Sequence, residues 1–187
     1  MTRIVAGELG GRRLQVPRGD VTRPTSERVR EALFSALESR GAVGGARVVD
    51  LYAGSGALGL EALSRGAASV VLVDSSRQAV EAARRNVKEL GLSRVSVVLS
   101  SVGRFLAHPP ALTADLVFAD PPYAYGDDDV AAMLTALAER WLSPGAIVVV
   151  ERGSRALEPR WPAALTRTDV RRYGETTLWQ AQFRPAP

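Results

Sequence analysis

From residue 46 to residue 150, short apolar runs rich in β-branched residues alternate with longer stretches in which apolar positions recur every three or four residues. The short runs are 47–51, 69–74, 95–99, 115–119 and 146–150. They are continuous rather than alternating, the pattern of strands covered on both faces. Their alternation with helical stretches predicts βαβ units on a mostly parallel sheet. The clearest helix spans 76–90, where Ala79, Val80, Ala83, Val87 and Leu90 share one face and Gly91 supplies the stop. A second runs from Val130 to Leu142, with Met133, Leu134, Leu137 and Trp141 on its inner side, and ends at Ser143-Pro144-Gly145. Beyond Val150 two β-rich runs, 165–173 and 176–183, are joined only by Gly174-Glu175, which predicts an antiparallel hairpin closing one sheet edge.

The first 40 residues differ in kind. Glycines and prolines punctuate two β-prone pieces, Arg3-Ile4-Val5-Ala6 and Arg13-Leu14-Gln15-Val16, which predict a small hairpin arm. A helix then starts near Thr25 or Ser26, either of which offers a capping oxygen, and carries Val29, Leu33, Phe34 and Leu37 inward to about Arg40. The expected organisation is an extension over 1–40 and a main α/β domain over 41–187, with a seven-stranded sheet of Rossmann-like type.

The chain lacks cysteine, which excludes disulfides and cysteine-ligated metal, and its one histidine, His108, stands beside two prolines. No metal is expected, so chemistry falls to carboxylates, hydroxyls, backbone groups or a bound organic cofactor. No apolar run approaches the ~20 residues that cross a bilayer, and Met1 to Gly7 has no apolar signal core, so a cytoplasmic protein with no membrane partner is expected, as a monomer. The net charge is +4 and is confined to residues 1–30, where seven arginines face three acidic residues. A basic arm on a neutral body points to a phosphate-bearing partner, although with one lysine, Lys88, among 24 basic residues a general bias toward arginine also raises the count.

The first long strand runs into Asp50-Leu51-Tyr52-Ala53-Gly54-Ser55-Gly56-Ala57-Leu58-Gly59, a glycine-rich turn opening a helix. Gly54, Gly56 and Gly59 let the backbone turn tightly and approach a ligand, with helix-terminal amides facing it. Asp74 ends the next strand 20 residues past Gly54, where a carboxylate accepts from both hydroxyls of a ribose or caps the following helix. These features suit a nicotinamide dinucleotide and S-adenosylmethionine equally. The fourth strand separates them, because it ends in Asp120-Pro121-Pro122-Tyr123. Two prolines stiffen the turn and remove two donors. Asp120 and the Pro121 carbonyl would then hold the hydrogens of an exocyclic amine, aligning its lone pair with a methyl donor, while Tyr123 stacks on an extruded base.

With that motif the chain resembles the class I S-adenosylmethionine-dependent methyltransferases that act on amino groups of bases. More narrowly, Arg3-Ile4-Val5-Ala6-Gly7, Gly11-Arg12-Arg13-Leu14, Thr22-Arg23-Pro24-Thr25 and Arg28-Val29-Arg30-Glu31-Ala32-Leu33-Phe34 resemble the bacterial RsmD family. Its members methylate the N2 amine of one guanine in 16S ribosomal RNA of the small (30S) subunit. The resemblance implies that Asp50, Tyr52, Ala53, Gly54, Ser55, Gly56 and Gly59 surround the methionine part of the donor, that Asp74 and Ser75 hold its ribose, and that Ser101 and Val102 border its adenine. Where the family often carries an acidic residue near the adenine, this chain has Ser101, which can still accept a hydrogen bond. Arg12, Arg13, Arg23, Thr25, Arg28 and Arg30 are the candidate RNA contacts, and Asp127-Asp128-Asp129 reads as a solvated helix start beside the lip. The rival readings are an N6-adenine DNA methyltransferase and a non-catalytic RNA-binding module. The first usually pairs an asparagine with the two prolines, and the second leaves both ligand motifs without a purpose.

Overall fold

A computed structural model describes residues 2–17, 27–108, 110–122 and 124–185. Strands β1 (Thr2–Arg3) and β2 (Arg13–Leu14) pair antiparallel and form the expected arm. Then follow α1 (Glu27–Ser39), β3 (Arg47–Leu51), α2 (Ala57–Ser64), β4 (Ser69–Asp74), α3 (Arg77–Glu89), β5 (Val95–Leu99), α4 (Val102–Leu106), β6 (Ala114–Ala119), α5 (Asp127–Arg140), β7 (Leu142–Gly153), β8 (Leu165–Tyr173) and β9 (Thr176–Phe183). The large sheet has the order β5-β4-β3-β6-β7-β9-β8. Its β5 to β7 part is parallel and the β8–β9 hairpin adds antiparallel, as the sequence pattern predicts.

The parallel strands alternate between two cores. Val48, Leu116, Phe118, Ile147 and Val149 face α1 and α2, whereas Val49, Leu51, Val117, Val148 and Val150 face α4 and α5. This explains why the central strands read as unbroken apolar runs. Strand β5 is the exception: it forms the edge and leaves Leu99 43% exposed. Helix α3 begins after Ser76, whose hydroxyl accepts from the Ala79 amide at 3.3 Å, and Gly91 follows Leu90 in the left-handed conformation that stops it.

Three boundaries depart from the sequence pattern. Ser143-Pro144-Gly145 lies within β7 rather than ending a helix, because Leu142 already pairs with Ala114 and the register then slips before Leu116 meets Ile147. Helix α5 ends at Arg140, before the expected Leu142, and starts at Asp127 in the acidic run read as a helix start, with the Asp129 carboxylate accepting from Gly126 N at 3.0 Å. Residue 40 also marks no break in packing. Ile4, Leu14, Leu33, Phe34 and Leu37 belong to the same core as β3 and β6, with the Phe34 and Phe118 rings 5.5 Å apart. Among the described residues no helix is long and apolar enough to cross a membrane.

Candidate active site

The carboxyl ends of β3, β4, β5 and β6 gather the sequence-predicted residues on one edge of the sheet. At the end of β3, Asp50 is 2% exposed and one of its oxygens accepts from the Gly59 amide at 2.8 Å. Burial first, then the like charge of Asp74, pushes its carboxyl up to about 7 against the pull of that hydrogen bond. The chain then turns through Tyr52, held at φ 60°, and Gly54, at φ 56°. The Gly54 amide donates to one Asp74 oxygen at 2.8 Å and the Ser76 amide to the other, also at 2.8 Å. Asp74 thus ties the glycine turn to the start of α3, and each of its oxygens retains a lone pair for a ribose hydroxyl.

The glycines have different roles. A Cβ on Gly54 would meet nothing within 4 Å, so this glycine faces open space and is required by its positive φ. A Cβ on Gly59 would lie 2.5 Å from Leu72 and 2.8 Å from Val70, and its amide is already taken by Asp50. Gly59 therefore supports the turn from beneath by close helix–sheet packing and does not line the ligand space, a correction to the sequence reading. Gly56, also buried, caps α2 without a side chain, with its amide donating to the Ala53 carbonyl at 2.7 Å.

Val102 needs a similar correction. It is 3% exposed and packs with Leu51, Val73 and Leu106, so its side chain is core and not an adenine contact. Ser101 is exposed, and its hydroxyl caps α4 by accepting from the Arg104 amide at 3.4 Å; Ser75 is exposed beside Asp74.

At the end of β6, Pro121 is buried, Pro122 is exposed, and the Pro122 carbonyl accepts from the Tyr125 amide at 2.9 Å. Tyr123 lies outside the described residues. Tyr125, which the sequence reading passed over in favour of its neighbour, meets Tyr52 edge-on at 5.4 Å between centroids and joins the lip to the glycine turn. Burial and this neighbour raise the Tyr52 phenol above its ordinary value, so it stays protonated. Asp120 is held well above the usual carboxylate range by surrounding protein, by Glu151 and by Asp50. Because Asp120 remains exposed to solvent, the repulsion from the two neighbouring carboxylates is the firmer cause. Beyond the lip, Asp127 accepts from Arg152 at 3.0 Å and Asp128 pairs with Arg160, so this acidic helix start is partly neutralised rather than simply solvated. Two hollows of about 410 and 290 Å³ lie elsewhere, between α3 and β5 and at the amino ends of β3 and β7, and touch none of these carboxylates.

The arm is bound to this edge by polar side chains that no sequence pattern singles out. Asn86, 1% exposed, donates to the Ser55 carbonyl at 2.9 Å and to the Gln15 carbonyl at 3.0 Å, and accepts from the Gln15 amide at 2.8 Å. One buried amide thereby links β2 to the glycine turn. Arg12, Arg13 and Arg28 are exposed, as phosphate contacts require. Arg30 is not: it is 1% exposed and donates to the Arg3 carbonyl, which removes it from the RNA-facing set. Burial lowers its pKa while Glu61 and Glu27 act in the opposite sense. Arg23 and Thr25 lie outside the described residues.

The family model described as conserved hypothetical protein 95 matches residues 2–182. Ribosomal RNA small subunit methyltransferase D of Escherichia coli K12 is 38% identical over 150 residues, which cover 80% of this chain and 73% of that one. The chain belongs to the RsmD family. A further similar protein is Bacillus subtilis YlbH, 32% identical over 178 residues that span 93% of this chain and 95% of that one. Among solved structures, Escherichia coli yhhF superposes with a TM-score of 0.86 at 33% identity and covers 99% of both chains. Membership of the RsmD family spans the arm as well as the sheet, so the arm is part of what the family shares.

Proposed function

We propose that this chain transfers a methyl group from S-adenosylmethionine to the N2 amine of a guanine in 16S ribosomal RNA, within an assembled or assembling 30S particle. The observation that carries the reading is the group of carboxylates, Asp50, Asp120 and Glu151, that the strand register sets together at the carboxyl edge of the sheet beside an open glycine turn. Such a site favours a cationic ligand, and the donor brings both a sulfonium and an ammonium group. Gly54, Ser55 and Ala53 would lie along its methionine part and Asp74 beneath its ribose. The bound donor supplies a methyl carbon to which the amine lone pair bonds as the carbon–sulfur bond breaks and its electron pair returns to sulfur.

The protein's part is alignment. Asp120 and the Pro121 carbonyl accept the two amine hydrogens, which turns the nitrogen lone pair toward the methyl group. The Asp120 carboxylate also stabilises the positive charge that grows on nitrogen, and the surplus proton leaves to solvent after transfer. Exposed Arg12, Arg13 and Arg28 hold RNA phosphates at the arm. The Arg12→Ala and Arg13→Ala variants are expected to weaken RNA binding and to lower the slope of log affinity against log salt by about 0.7 to 0.9 per lost contact. An unchanged slope in a filter-binding titration would remove the arm from the RNA interface.

Donor affinity should rise with pH. The carboxyl of Asp50 sits at about 7 in the folded chain, above its ordinary value of 3.8, so it is largely protonated at pH 6. A cationic donor favours the ionised form, so binding below about 7 releases a proton, and affinity grows by up to tenfold per pH unit as pH rises toward about 7 and levels off above it. The same shift makes ionised Asp50 a cost to folding above about 7, relieved as pH falls toward its unfolded value. Calorimetry in buffers of different ionisation heat reads the released proton directly, and pH-independent binding without proton release counts against the acidic-site reading.

The deciding experiment is transfer from labelled S-adenosylmethionine to small subunits that lack the modification, followed by nucleoside analysis. N2-methylguanosine at one position is expected. Label in N6-methyladenosine, or none on any subunit form, overturns the proposal.

A further inference from the structure

In the parallel pairing of β6 with β7, Phe118 lies opposite Val149 and Ala119 opposite Val150, so the next residues, Asp120 and Glu151, are register neighbours on adjacent strands. Phe118 and Val149 face one core while Ala119 and Val150 face the other. By strand alternation Asp120 and Glu151 therefore emerge on the Phe118–Val149 side, where the charge of Glu151 acts to raise the Asp120 carboxyl. Asp50 lies on the same side, opposite Phe118 in the pairing of β3 with β6. Asp120 alone explains why an amine is held. It does not explain why the base carrying the amine must be guanine, since other bases also carry one.

We propose that Glu151 is a specificity-determining residue that accepts the guanine N1–H while Asp120 holds the adjacent N2 amine. The inference rests on the guanine-N2 reading above and deepens it. Guanine presents N1–H and N2–H donors side by side, whereas adenine and cytosine place an acceptor nitrogen next to their exocyclic amine. Two carboxylates on strands about 4.8 Å apart, one of them longer by a methylene, meet both donors of one planar edge. Facing adenine or cytosine, the Glu151 carboxylate opposes a lone pair and the base is rejected. A site built around such a hydrogen bond discriminates more strongly than a pocket that reads size. Glu151 also stands just beyond the apolar run of β7, so its place in the sheet is fixed by core packing on either side of Val149 and Val150.

The test compares guanine with 2,6-diaminopurine at the target position of a ligated 16S RNA reconstituted into small subunits. Diaminopurine keeps the N2 amine but has an acceptor at N1. The natural enzyme is expected to prefer guanine by about 100-fold or more in kcat/KM. Glu151→Gln, which can donate as well as accept, should bring the two bases to within about tenfold, by losing rate on guanine and gaining it on diaminopurine. This ratio is internal to one enzyme preparation, so a simple loss of folded protein does not move it. If Glu151→Gln retains the natural preference, or the natural enzyme does not discriminate, the inference is overturned. If the natural enzyme methylates N2 of neither base, the guanine-N2 reading itself fails. Should the glutamine variant not fold, Glu151→Asp serves: it is expected to keep the guanine preference at a rate lowered about tenfold or more, and a natural rate would overturn the assignment.

Discussion

Asp120→Ala is expected to lower methyl transfer by about 1,000-fold or more while leaving affinity for the donor within a few-fold. The two effects separate because in the proposed mechanism Asp120 serves the amine in the transition state more than the donor in the ground state. Its carboxylate fixes the direction of the nitrogen lone pair and faces the charge that develops there, and loss of one such aligned group commonly costs about 10² to 10³ in rate, with misorientation adding to it. Donor binding is buffered by the neighbours. Removing Asp120 takes away one negative charge but leaves Asp50 and Asp74, whose mutual repulsion and hydrogen bonds to Gly59, Gly54 and Ser76 do not involve Asp120. Asp120→Asn keeps an acceptor oxygen and the shape, so it should retain more rate than the alanine variant. Single-turnover transfer to small subunits, with donor affinity measured by calorimetry, checks both parts. Turnover within tenfold of the natural enzyme refutes the alignment role, and a donor affinity that falls in step with the rate places Asp120 in the donor site.

What could be read from the chain and what could not divides along a physical line. Runs such as 47–51 and 115–119 announced themselves because both faces of those strands are covered, and covered strands need apolar residues at every position. Asp50, Gly54, Asp74 and Asp120 were legible because they lie where strands end, and that edge of a parallel sheet is where ligands bind. The misreadings come from residues whose partners are distant in sequence. Arg30 reads as one more basic residue of an exposed arm, yet the arm folds over it and its guanidinium meets the carbonyl of Arg3. Asn86 carries no signal in the sequence and in fact reaches both Gln15 and Ser55, which are 71 and 31 residues away. Glu151 carries none either. Only the register with β6 sets it beside Asp120. Gly59 fits the ligand fingerprint by spacing, but spacing alone does not distinguish a glycine that faces a ligand from one that lets a helix approach a sheet.

Glu61→Ala should destabilise the fold by about 3 to 5 kcal/mol, because it leaves buried charge and buried amides without partners. Glu61 is fully buried on α2, and its two oxygens accept from Val5 N at 2.7 Å, from Ala6 N at 3.0 Å and from the Arg65 guanidinium at 2.8 Å. Arg65 itself is 4% exposed at its side chain and bridges to Glu31 and Glu38 of α1. One carboxylate thus fastens the arm to α2 and completes the ion-pair cluster that fastens α1 to the same helix. The arm has few alternatives. Its next anchor is Ser64, whose hydroxyl donates to the Ala6 carbonyl and accepts from Leu9 N. Gly7 passes so close to the Ser64 carbonyl that a Cβ would lie 1.9 Å from that oxygen, so the backbone has no room to settle elsewhere. For a chain of 187 residues the loss corresponds to a fall in Tm of roughly 10 °C, at about 2 to 4 °C per kcal/mol. Glu61→Gln keeps one acceptor oxygen but sets its amide donor either against the Val5 amide or against the Ala6 amide and the Arg65 guanidinium, so it should recover only part of the loss. The arm also meets the glycine turn through Asn86, so loosening it at Glu61 should weaken donor binding as well as RNA binding. Thermal unfolding of both variants, read beside donor calorimetry, tests this coupling. An alanine variant that unfolds within 2 °C of the natural chain would show that the arm is held by its apolar contacts, Ile4 and Leu14, and not by the buried carboxylate.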